Sequence, residues 1–175
     1  MTGEDSSYAL LRARWKPDPV RLLLIAESPP DSGAGPRRFF YDDDLTARDS
    51  LFRSVAKAVF DVERLPSGRG GKTAWLRRLK DRGVYLIDQA PVPVNMKHPR
   101  ERAAILAANI EATVEQAREL RPEGIIICKT NVFADLAGPL RHAGLPLLHD
   151  EPIPFPGSGW QKVFVERFRA AANRL

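Results

Sequence analysis

The chain has 175 residues, 43% hydrophobic and 28% charged, with one cysteine and a net charge of +5. That length buries one sizeable core, so a single domain over 1–175 is expected, with 1–14 as a loose N-terminal arm or a short helix. The apolar runs near Leu22 and Ile125 are too short to span a bilayer, the N-terminus carries Glu4 and Asp5 in place of a secretory signal, and Cys128 has no partner for an internal disulfide. A cytoplasmic protein with no membrane partner is the expectation.

The first element is an apolar run, Val20 to Ala26, which stops at Glu27, Ser28, Pro29 and Pro30. A buried parallel strand delivers polar residues to a crevice in this way. Glu27 is expected there, partly desolvated, as the best candidate to polarise water or to accept from a substrate N–H. Ser28 can bind beside it, and Phe39, Phe40 and Tyr41 arrive within a loop's reach as walls for a flat polar ring. Asp42, Asp43 and Asp44 point in different directions and read as no metal site; Asp44 or Asp49 sits near a helix start, where its charge suits the dipole.

Leu51, Phe52, Val55, Val59 and Val62 then share a helical face. Charge is concentrated downstream. Residues 51–104 hold 12 basic and 5 acidic side chains, whereas 1–50 hold 7 and 9 and 105–175 hold 8 and 8. The cluster including Arg69, Lys72, Arg77 and Arg78 is either the footprint of a polyanion partner or a solvated helix face. Gly68 to Thr73 is glycine-rich, but Pro66 stands where a phosphate-binding loop needs its first glycine, which excludes a nucleoside triphosphatase by that motif.

A second strand, Val84 to Asp88, places Asp88 at the same rim as Glu27, where two carboxylates can read donor edges of a base or orient water at a glycosidic bond. Helical period follows through Leu106, Ile110, Val114, Ala117 and Leu120, then a third strand, Gly124 to Cys128. Asn131 can cap a helix running through Leu136 to Leu140. A fourth strand is expected at Leu145 to Leu148, and Ser158 can cap a last helix bearing Val163, Phe164, Phe168 and Ala171. The three histidines, His98, His142 and His149, share no ligand spacing with Cys128, so neither metal nor cofactor is expected. Prolines follow the first, second and fourth strands, where they stiffen a ligand site or merely end strands. The sum is an α/β fold: a three-layer αβα sandwich on a central, mainly parallel four-stranded sheet.

From Val20 to Leu175 the chain resembles the uracil-DNA glycosylase superfamily. Ala26-Glu27-Ser28-Pro29-Pro30 resembles the first-strand motif of its iron–sulfur branch, Phe39 or Phe40 matches the phenylalanine that stacks on the base, and Val84 to Asp88 resembles the strand ending in the base-reading asparagine. Pro154 to Gly159 sits where the motif before the last helix is found. Asp88 replaces the asparagine, no histidine lies in the Phe155 to Ser158 motif, and the four cluster cysteines are absent, so the resemblance is to a divergent branch. It implies a glycosylase-like fold and a DNA partner, single-stranded or lesion-containing, with a nucleobase ligand. Phe39 or Phe40 would stack, Asp88 and Gln89 would read the base, Glu27 would orient water, and His149 or the Ser158 loop would reach the leaving base or a phosphate. Arg69, Lys72, Arg77 and Arg78 would hold the DNA backbone. Hydrolysis of the N-glycosidic bond is the activity implied. A catalytically inactive module binding nucleic acid or a nucleobase is the alternative, and hydrolysis of a small nucleoside or nucleotide is a third possibility.

Overall fold

The computed structural model describes residues 6–31, 33–35 and 37–175. Three strands, β1 (Leu22–Ala26), β2 (Val84–Asp88) and β3 (Gly124–Ile127), form a parallel sheet in the order β2-β1-β3. Every residue of β1 is buried, because the central strand of a covered parallel sheet has no solvent face. Ala26 pairs with Asp88 and Ile25 with Ile127, so Glu27, Asp88 and Cys128 emerge together at the carboxyl edge.

Among the described residues, seven helices complete the fold: α1 (Ser6–Trp15), α2 (Ser50–Phe60), α3 (Thr73–Asp81), α4 (Pro99–Ala108), α5 (Ile110–Leu120), α6 (Thr130–His142) and α7 (Gln161–Ala172). The connection from β1 to β2 carries α2 and α3, and the return across β1 to β3 carries α4 and α5. Right-handed crossovers in opposite directions place these pairs on opposite faces. α7 packs on α2 and α6 on α5. None of these helices is long and apolar enough to cross a membrane.

The structure departs from the expected elements in three places. Leu145 to Leu148 is not a fourth strand; it makes one parallel bridge, Ile125 to Leu147, with Ile125 N–H donating to Pro146 O and Leu148 N–H to Ile125 O. Pro146 has no N–H and Gly144 turns the chain at φ +71°, so the pairing cannot extend. The apolar face from Leu106 to Leu120 belongs to two helices separated at Asn109. At the N-terminus, where a loose arm or a short helix is expected over 1–14, Ser6–Trp15 form the helix α1, anchored by buried Tyr8, Arg12 and Trp15, while 1–5 lie outside the described residues. Neither expected cap acts as one: Asn131 lies inside α6, and Ser158 is an exposed turn residue at φ +49°, ahead of the N-cap Trp160.

Candidate functional site

A cavity of about 290 Å³ opens at the carboxyl ends of β1 and β2. Glu27 and Ser28 enter it from β1, Asp88 from β2, Asp49 to Leu51 from the start of α2, Arg102 from α4, and Lys129 from the residue before α6. Phe39 and Phe40 form its inner wall, and Phe155 stands at its mouth. Asn95 ties two of the strand-end loops together: its side chain donates to Asp31 O and accepts from Asp31 N–H, both at 2.8 Å.

Glu27 is the centre of the polar wall. Its Oε1 accepts from Arg102 Nε at 3.0 Å and from Asn131 Nδ2 at 2.7 Å, and its Oε2 accepts from Lys129 Nζ at 2.7 Å. Burial alone would raise its pKa; the hydrogen bonds from Arg102, Lys129 and Asn131 outweigh that and hold the carboxyl below the usual carboxylate range. The expected water-orienting carboxylate is therefore an ionised anchor whose lone pairs are spent on two cations and an amide.

Asp88 is likewise paired, with Arg12 Nη2 of α1 at 2.6 Å. Gln89 turns away from the cavity: its buried amide donates to Leu106 O and to Asp135 Oδ2, both at 2.9 Å. Ser28 lines the cavity, and its hydroxyl accepts from Val94 N–H at 3.4 Å.

The aromatic triplet is packed, not presented. Phe39 and Phe40 are 1% and 6% exposed, edge-on to Tyr8, Tyr41 and Phe52. Tyr41 is structural, because its hydroxyl donates to Leu86 O at 2.9 Å and accepts from Leu86 N–H at 2.6 Å. The accessible ring at the cavity is Phe155, 38% exposed, with Lys129 Nζ 5.6 Å from its centroid.

His149 does not reach the cavity. Its Nε2 accepts from Ile127 N–H at 2.9 Å, so the neutral ring carries its proton on Nδ1 and donates to Glu151 O at 2.8 Å. Burial lowers its pKa, with Arg141 and Arg174 adding to the effect against the Glu151 carbonyl and Asp150. A ring with both nitrogens engaged inside the fold holds β3 to the loop after α6 and transfers no proton to a ligand.

The basic segment is scattered. Lys72 is 0% exposed, ion-paired with Asp49, and donates to Phe39 O at 2.7 Å, so it cannot meet a phosphate. Burial lowers its pKa, while Asp49 raises it. Arg77 and Arg78 are exposed on α3; Arg78 stacks over Phe60 and Trp75 at 4.2 and 4.6 Å, beside Arg82 over Phe60. Because α3 ends just before β2 begins, this patch belongs to the amino end of the sheet, about 16 Å of strand away from the cavity. Arg69 is exposed in the loop that bridges Gly68 to Leu45. Asp42, Asp43 and Asp44 turn to Arg37, Thr73 and Gly70 respectively. Among the described residues no three His, Cys, Asp or Glu side chains converge as a metal site.

Four site cations, Arg38, Arg48, Arg102 and Lys129, were not singled out by sequence. Lys129 was reachable by the rule that applied to Glu27 and Asp88, since it directly follows the third apolar strand. Arg102 lies within a helix and carries no such signal. Comparison with protein-family models, curated proteins and solved structures returned no match.

Proposed function

We propose that this cavity binds the base of a nucleic acid or nucleotide, and that the chain is a glycosylase-like base-binding module. The observation that carries the reading is the composition of the site: an aromatic inner wall, an accessible Phe155 ring and four cations at the carboxyl edge of a parallel sheet. Small-ligand sites in open α/β sheets lie at that edge, and about 290 Å³ is near the lower end of ligand pockets, suited to one base and its sugar. Binding is favoured over hydrolysis because Glu27, Asp88 and His149, the candidate proton-handling groups, are each committed to partners within the protein.

N-glycosidic hydrolysis is the second reading, favoured by one feature. Arg102 and Lys129 together outnumber the charge of Glu27, and a departing base anion is stabilised by fixed cations in a partly dry site. The two readings separate in one assay. Oligonucleotides carrying uracil, hypoxanthine or xanthine are incubated with the protein, and both binding and alkali-labile cleavage are measured. Binding without cleavage supports the module; cleavage abolished by Arg102→Ala supports hydrolysis; neither binding nor cleavage removes hydrolysis in DNA and the DNA partner, and leaves only a free nucleotide as the ligand of the module.

A further inference from the structure

The cation arrangement is more specific than a base pocket requires. Of the three carboxylates on the cavity wall, Asp49 and Asp88 are balanced from behind by Lys72 and Arg12. Glu27 alone faces Arg102 and Lys129, and Arg38 and Arg48 stand exposed with no ion-pair partner among the described residues. The cavity mouth is thus left with unbalanced positive charge. Arg102 presents Nε and Nη2 to Glu27, which leaves the Nη1 hydrogens of its fork without a partner among the described residues, and Lys129 gives Glu27 one of three ammonium hydrogens. Ser50 and Leu51 line the same mouth from the first turn of α2, whose dipole is positive at that end. An uncharged base can accept from these donors at its carbonyl and ring-nitrogen atoms but leaves their charge unbalanced; a phosphate ester attached to it accepts and neutralises.

Resting on the base-binding reading above, we infer that the cavity recognises a nucleoside monophosphate group, with the base against Phe155 and the phosphomonoester held by Arg48, Arg102 and Lys129. Two sources share this chemistry, a free nucleotide and the phosphorylated end of a strand. A dianionic phosphomonoester suits the site better than an internal diester, which carries one charge and brings a chain on both sides of the phosphate.

Calorimetric titration of the full chain tests the assignment, using each common deoxynucleoside and deoxyuridine, the matching 5′-monophosphates, and inorganic phosphate. At least one monophosphate is expected to bind roughly tenfold or more tightly than its nucleoside, the scale of one or two charge-assisted hydrogen bonds. That gap should close in Arg102→Gln and in Arg48→Ala, and persist in Arg77→Ala at the other end of the sheet. Arg48 is exposed, so its variant remains informative if Arg102→Gln does not fold. Equal binding of nucleoside and monophosphate overturns the phosphate assignment and leaves the base reading standing, whereas no binding of any compound overturns both. Inorganic phosphate binding as tightly as the nucleotide overturns the need for a base. Oligonucleotides with and without a 5′-phosphate then separate the sources: preference for the phosphorylated strand assigns the strand end, and binding of the mononucleotide alone assigns the free form.

Discussion

Lys72 shows how far one residue's role depends on what surrounds it. In the sequence it sits among arginines and reads as a phosphate contact; in the fold it lies beneath the cavity wall, paired with Asp49 and holding Phe39 O. Nothing local distinguishes it, because a lysine's burial is decided by the segment that closes over it, here residues 39 to 49. Removing one partner of a buried pair strands the other charge. Lys72→Met should therefore cost about 3–5 kcal/mol in urea unfolding, and the double variant Lys72→Met with Asp49→Leu should recover most of that loss. His149 makes a second, opposite case. Its pKa is lowered in the folded state, so the unfolded chain binds the extra proton first, and stability is lost as pH falls from about 6.5 through the lowered value. His149→Gln should flatten that part of the stability profile while leaving ligand affinity at pH 7.5 unchanged.

At the scale of elements, the three parallel strands and their carboxyl-end residues were legible, because a buried strand writes itself as an unbroken apolar run. The fourth was not, since Leu145-Pro146-Leu147-Leu148 has a strand's composition while Pro146 removes the donor that a ladder needs. The segment instead packs on β3 at Gly124, where an added Cβ would come within 2.5 Å of Leu148 Cδ1 and 2.8 Å of Leu175 Cδ1. Gly124→Ala should thus destabilise the protein by about 1–3 kcal/mol, the cost of overpacking, read as a lower unfolding midpoint with unchanged denaturant slope. The split between α4 and α5 escaped the periodicity because Leu106 continues the spacing of Ile110 and Val114 in sequence, yet it packs with Ala90 and Val94 while the apolar residues of α5 join the main core; the break at Asn109, whose side chain donates to Ile105 O at 2.8 Å, needs the backbone to be seen.

Across the whole molecule, the positive charge that is contiguous in residues 51–104 divides into a buried lysine, an aromatic-stacked patch at the amino end of the sheet, and Arg102 at the cavity. Sequence distance is a poor guide here because one crossover carries the chain from one end of the sheet to the other. Salt dependence resolves the parts. Neutralising Arg38 and Arg48 should lower the salt slope of oligonucleotide binding by about one to two, whereas Arg77→Ala with Arg78→Ala should leave nucleoside affinity unchanged. Titrations at several salt concentrations check both, and a nucleoside affinity that fell with the α3 variant would place that patch at the cavity after all.

Glu27 is hydrogen-bonded to groups 75, 102 and 104 positions further along the chain. A site knotted from such distant segments has no local precursor: the entropy of closing those loops must be met before any of its contacts form. No fragment ending before Asn131 contains the complete anchor. During synthesis or refolding, the polar wall of the cavity is complete only after the third strand has joined the first, which makes the cavity a reporter of completed topology.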